Sequence, residues 1–195
     1  NYSLFWNYLA EWDIMPDFLQ DKILAIAKEV DAAVVSANPS VQEHIALYNT
    51  YLSEGKMIVL VAYSQGNLYG NIAYLGIDPQ YIDGFGMVSV ANPDSYVAGG
   101  GPYTTINEDF IINSILSALP PNLDNFFGHL NCGDIWGGHN FIKSYMAPGH
   151  KAEAKILNDV VSMVNELIPS NTEAVEIVLR IIFSRWSAVI LVQHL

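Results

Sequence analysis

Ser64 has the clearest chemical context in this sequence. It stands in Ala62-Tyr63-Ser64-Gln65-Gly66, between an apolar, β-branched run at 57–63 and a helix-forming stretch at 67–75. A serine at the tip of a sharp strand-to-helix turn is held in a strained backbone conformation, and small residues two before and two after it relieve the crowding. Ala62 and Gly66 meet that need. Such a turn lifts the hydroxyl above the carboxyl edge of a sheet and aims the Gln65 N–H and the helix N-terminus at the space where an oxyanion develops. This is how a nucleophile for acyl transfer is presented, and it calls for a histidine as base and a carboxylate to orient that histidine. The plainer reading is that Ser64 only caps the helix, since small-x-Ser-x-Gly alone is a weak pattern.

The surrounding elements must place those groups. Residues 57–63 read as a strand buried on both faces, and 87–91 as a second, with the helix at 67–75 and a Gly/Asp/Pro loop at 76–86 between them. A β-α-β unit in a parallel sheet covered by helices is the economical solution. Upstream the pattern is helical: Leu19, Ile23, Ile26 and Val30 recur at helical steps, and a second helix is expected over 40–53, ending at Gly55. Downstream come a Gly-rich loop at 92–102, a short strand at 103–106, a helix at 109–119 stopped by Pro120-Pro121, and a strand at 126–130. A loop through Gly137-Gly138 leads to a short helix at 139–146. Amphipathic helices are expected at 151–168 and 172–186, the latter with cap residues at Ser170-Asn171-Thr172.

The segment Val59-Leu-Val-Ala-Tyr-Ser-Gln-Gly-Asn-Leu-Tyr-Gly-Asn71 resembles the nucleophile elbow of bacterial α/β-hydrolases with a His-Ser-Gln-Gly-Asn core, a group related to lipases and esterases. The resemblance runs from about residue 57 to 146 and takes in Val90-Ala-Asn-Pro93, the Thr-containing strand before Asp109, and Gly-His-Asn-Phe at 138–141. Ala62 stands where many relatives have Gly, and Tyr63 where His is common. The resemblance implies a single α/β-hydrolase-like domain over 1–195. Its regions would be helical at 1–56, catalytic sheet and loops at 57–150, and helical at 151–195. It also implies a serine hydrolase acting on carboxylic esters through an acyl-enzyme, with apolar or lipid-like acyl groups and no cofactor or metal.

In that fold the triad follows the chain order Ser, acid, His. His139 is the preferred base, because it lies in a Gly-rich loop after the last strand, where Gly137-Gly138 leave room for its ring to reach Ser64. His150 is the next candidate, although it also reads as the start of the 151–168 helix, and His129 reads as strand-borne. Asp109 matches the family's acid position, and its plainer role is a helix-opening carboxylate. Asp94, after the second buried strand, is its rival, and Asp134 lies within five residues of His139. Asp78 and Asp83 share one loop but read as turn residues rather than a calcium site. Phe5, Trp6, Tyr8 and Trp12 are candidates for an apolar cap or for core.

Composition narrows the partners. Eight Lys+Arg against 20 Asp+Glu give a net charge of −12, with no basic run, which argues against nucleic acid and against an anionic membrane surface. At 51% hydrophobic and 14% charged residues the chain has ample core material for one domain. A single cysteine, Cys132, excludes an internal disulfide framework and a Cys-cluster zinc site. The apolar stretch at 177–192 contains Arg180 and Arg185, so a helix against the core or at an interface is expected there rather than a membrane span. No signal peptide is visible after Asn1, and a processing site or upstream boundary is expected there; compartment and oligomeric state stay open.

An α/β-hydrolase also draws a second oxyanion N–H from a loop after an early strand, and nothing in 1–56 supplies both. Missing N-terminal strands would leave the strand carrying Ser64 with an apolar edge that must be paired or covered. A fragment of a larger hydrolase, or a catalytically silent α/β-hydrolase-like domain serving binding or assembly, is therefore the alternative function.

Overall fold

A computed structural model describes residues 38–115, 118–124 and 138–168, together with the backbone of 175–184 and 187–194. The helical pattern at Leu19 to Val30, the aromatic group Phe5, Trp6, Tyr8 and Trp12, the strand at 126–130, and His129, Cys132, Asp134 and Gly137 lie outside the described residues.

The architecture is α/β. Helix α1 (Pro39–Ser53) opens with Pro39 in its first turn and with Asn38 Oδ1 accepting the Ser40 N–H at 3.0 Å. Strand β1 (Met57–Tyr63) follows, then α2 (Gly66–Leu75), a 3-10 turn (Pro79–Gly84) and β2 (Phe85–Val90). Asp78 caps the 3-10 turn by accepting the Gln80 N–H at 3.1 Å, a turn role. β1 and β2 pair in parallel, Ile58 opposite Phe85 through Tyr63 opposite Val90, and the two-residue β3 (Tyr103–Thr104) adds in parallel to β2. Two further helices follow, the short α3 (Phe110–Asn113) and the long α4 (Lys151–Leu167), which closes the described α/β part.

The period of two along β1 explains the layers. Ile58, Leu60 and Ala62 cluster with Phe85 and Met87 against Tyr48 and Leu52 of α1 and Ala73 of α2. Met57 and Val59, with Val88, instead meet Met163 and Val164 of α4. Both faces of β1 and β2 are covered, as an uninterrupted apolar strand requires. Each such Val, Leu or Ile contributes about 1.5–3 kcal/mol by leaving water. The close approach of α2 depends on Gly70, where an added Cβ would come within 2.9 Å of Leu60 and Met87 side-chain atoms.

Two expectations need correction. The expected helix at 172–186 is instead strand β4 (Val175–Ser184), which turns back into β5 (Ser187–His194) as an antiparallel hairpin. β5 pairs antiparallel with β1, Met57 opposite Val192 through Ala62 opposite Ser187, giving the sheet order β3-β2-β1-β5-β4. The β1 edge that had to be paired is thus taken by the chain's own C-terminal hairpin. The region at 151–195 is helical only in its first part. The expected helix at 109–119 is also shorter. α3 stops at Asn113, whose side chain turns back to the Ile106 and Asn107 carbonyls at 3.1 and 2.9 Å, while the Leu119 N–H binds the Asp94 carbonyl at 2.8 Å.

Burial pushes the Tyr48 phenol far above its ordinary range. Because the folded state then holds that proton after an unfolded chain has released it, this contribution is complete below about pH 10 and is lost as pH rises further. Stability measured by denaturant titration should fall above pH 10 by up to about 1.4 kcal/mol per pH unit from this group. Tyr48→Phe should flatten that decline.

Candidate active site

The three parallel strands deliver their following segments to one edge of the sheet: Ser64 directly after β1, Ala91 after β2, and Asp109 in the loop after β3. Ser64 and Ala91 are the non-glycine residues with positive φ among the described residues, at 53° and 50°. Such backbone costs of order 1–3 kcal/mol and persists only where surrounding bonds over-determine it. Here the Ser64 N–H donates to the Val90 carbonyl at 3.0 Å. The buried Asn67 side chain donates to the Ser64 and Val90 carbonyls, both at 2.9 Å, and accepts from the Ser89 hydroxyl at 2.6 Å. Asn67 therefore ties the turn to β2. The helical ladder of α2 begins with the Asn67 N–H on the Ser64 carbonyl, so the Gln65 N–H precedes it at the helix N-terminus.

The Ser64 Oγ lies 2.9 Å from His139 Nε2, and His139 Nδ1 lies 2.8 and 3.1 Å from the two Asp109 carboxylate oxygens. Asp109 accepts at Nδ1, so the ring carries its proton there and its Nε2 lone pair faces the serine. Asp109 is 0% exposed, and its Oδ1 also accepts the Ile112 N–H at 3.0 Å. One side chain caps α3 and holds the imidazole, so the helix-opening and orienting roles coincide. Two tyrosines complete the surroundings. Tyr63 stacks on the His139 ring, centroids 5.2 Å apart at 28°, and donates its hydroxyl to the His139 carbonyl. Tyr145 donates to Asp109 Oδ2 at 2.7 Å.

The rival residues sit elsewhere. Asp94 accepts from the Ser95 N–H and the Asn71 side chain, a loop-holding arrangement away from His139. His150 occupies the N-cap position of α4, with Nδ1 3.4 Å from the Ser144 carbonyl. The 139–146 helix is a π-type turn (Phe141–Tyr145) capped by Asn140. Sequence reasoning placed Asn67 in the elbow motif without a role and passed over Tyr145. Asn67 follows the serine by three residues, within reach of its carbonyl across one helical turn, and that spacing was the available signal. For Tyr145 there was none, because its partner is 36 residues away.

Gly138 also meets a need that its sequence did not reveal. At φ +82° its Cα faces the Glu108 backbone, and a Cβ there would stand 2.0 Å from the Glu108 carbonyl oxygen. It lets the histidine loop touch the acid loop directly. Gly138→Ala should cost about 2 kcal/mol or more, read as a lowered midpoint of thermal unfolding.

Among the described residues no group of three His, Cys, Asp or Glu side chains is arranged to hold a metal ion, and no helix is long and apolar enough to cross a membrane. Fold and site together define an α/β protein carrying a buried Ser-His-Asp hydrogen-bonded line. Comparison with protein-family models, curated proteins and solved structures found no match to the chain.

Proposed function

We propose that this protein is a serine hydrolase of the α/β-hydrolase, esterase- and lipase-like class, cleaving carboxylic esters with apolar acyl groups. The observation that carries the reading is the unbroken line from Ser64 Oγ through His139 to Asp109, with the serine at a positive-φ turn between a parallel strand and a helix. Ser64 Oγ attacks the ester carbonyl and its proton passes to His139 Nε2. Asp109 steadies the imidazolium, and the Gln65 N–H faces the oxyanion. Collapse of the tetrahedral intermediate breaks the ester C–O bond, and the leaving alcohol takes the proton from Nε2. Water, activated by the same nitrogen, then releases the acid.

Apolar acyl groups are favoured because Phe110, next to Asp109, is 62% exposed and Ile142, three residues beyond His139, is 67% exposed. Large apolar side chains left in water on the two segments that carry the acid and the base suit an apolar ligand. The net charge of −12 disfavours polyanionic substrates. A fluorophosphonate probe tests the reading: it should form a single adduct, mapped by peptide mass to Ser64. A second reading, a catalytically silent binding or assembly domain, is favoured by the near-complete cover of Ser64 and His139, each 2% exposed. Folded protein that takes up no probe and turns over neither short nor medium acyl esters would favour that reading.

A further inference from the structure

We propose that Tyr145 is a positioning residue for the acid–base pair, its hydroxyl holding Asp109 Oδ2 so that the carboxylate faces His139 Nδ1. The inference rests on the hydrolase reading and extends it to a residue outside the Ser-His-Asp line. Tyr145 is 0% exposed. Its hydroxyl oxygen lies 2.7 Å from Asp109 Oδ2 and 3.4 Å from the Ile106 N–H. An N–H can only donate and a carboxylate can only accept, so the two neighbours fix the phenol's direction: it accepts from Ile106 and donates to Asp109. A carboxylate wholly removed from water needs donors on both oxygens. Oδ1 has the Ile112 N–H, and Tyr145 supplies Oδ2 alongside His139.

Tyr145 ends the π-type turn whose N-cap, Asn140, directly follows His139, so one short segment brings both groups that bind Asp109 Oδ2. The Tyr145 ring meets Tyr63 edge-on, centroids 6.0 Å apart at 69°, and Tyr63 in turn stacks on His139. Removing only the hydroxyl therefore leaves the ring packing in place. Burial, and then the Asp109 charge, hold the Tyr145 phenol well above its ordinary range, so it remains a donor across neutral pH. Among the described residues, Tyr63 at the end of β1 and Tyr145 on the π-type turn are titratable groups in contact with the pair. Glu108 precedes Asp109 in the chain, and Lys143 and His150 follow His139 on the 141–150 segment.

Donation from Tyr145 disperses the Asp109 charge. Without it the carboxylate attracts the imidazolium more strongly and holds its proton to higher pH. Tyr145→Phe should lower kcat about tenfold to a hundredfold with KM little changed. It should also move the ascending limb of the pH profile up by about half a unit to one unit. The same displacement should appear in the proton NMR titration of the His139 ring, which needs no turnover and so judges Tyr145 even if the protein hydrolyses no ester. Trifluorotyrosine placed at position 145 by codon suppression keeps the hydroxyl and makes it a stronger donor, and should move the titration the opposite way. It also serves if Tyr145→Phe does not fold. In an Asp109→Asn background the Tyr145 change should add little. A His139 titration that ignores both substitutions in folded protein would overturn the proposal and leave Tyr145 as packing.

Discussion

Ser64→Ala should lower turnover of p-nitrophenyl esters by about six orders of magnitude and abolish fluorophosphonate labelling, because loss of the attacking oxygen leaves only what binding and the oxyanion N–H provide. His139→Ala should fall to a similar floor rather than add to it, since nucleophile and base act as one unit. Stability should change little in Ser64→Ala. The positive φ of 53° suits alanine no better than serine, and the bonds that hold the turn come from the backbone and Asn67, not from the serine hydroxyl. Unaltered labelling in Ser64→Ala would end the assignment, and full activity in His139→Ala with loss in His150→Ala would move the base to the later histidine.

Asp109→Asn should cost about 10⁴ in turnover, and the local bonds say why. The Ile112 N–H needs an acceptor where Oδ1 now stands. The amide nitrogen introduced by Asp109→Asn is therefore forced to the Oδ2 position, facing His139 Nδ1 and the Tyr145 hydroxyl. An NH₂ group there stabilises the ring with its proton on Nε2, and that tautomer cannot accept from Ser64. Asp94→Asn should stay close to full activity, since Asp94 is bonded to the Ser95 N–H and Asn71 and not to the histidine. Steady-state rates of the two variants, with circular dichroism to show both folded, decide the matter. A nearly fully active Asp109→Asn beside a dead Asp94→Asn would place the acid after β2 instead.

The strand at 57–63, the turn at Ser64, the helix after it and the long α4 helix are legible in the sequence because each is set by residues a few positions apart. These are a β-branched apolar run, small residues flanking one serine, and amphipathic spacing. The C-terminal hairpin is not legible in that way. Val175–Ser184 and Ser187–His194 are apolar runs that serve a helix or a strand equally well until the free edge of β1 offers hydrogen bonds to β5, and β5 in turn to β4. The choice between Asp109 and Asp94 is of the same kind. Both follow short strands and both bind nearby backbone N–H groups, and only the loop that His139 packs against separates them. Gly138 against Glu108 and Tyr145 on Asp109 join segments about 30 residues apart or more. Local preference reaches only as far as one turn or one pleat, so contacts of this span are chosen by packing once the sheet has formed, because buried polar groups must then find partners.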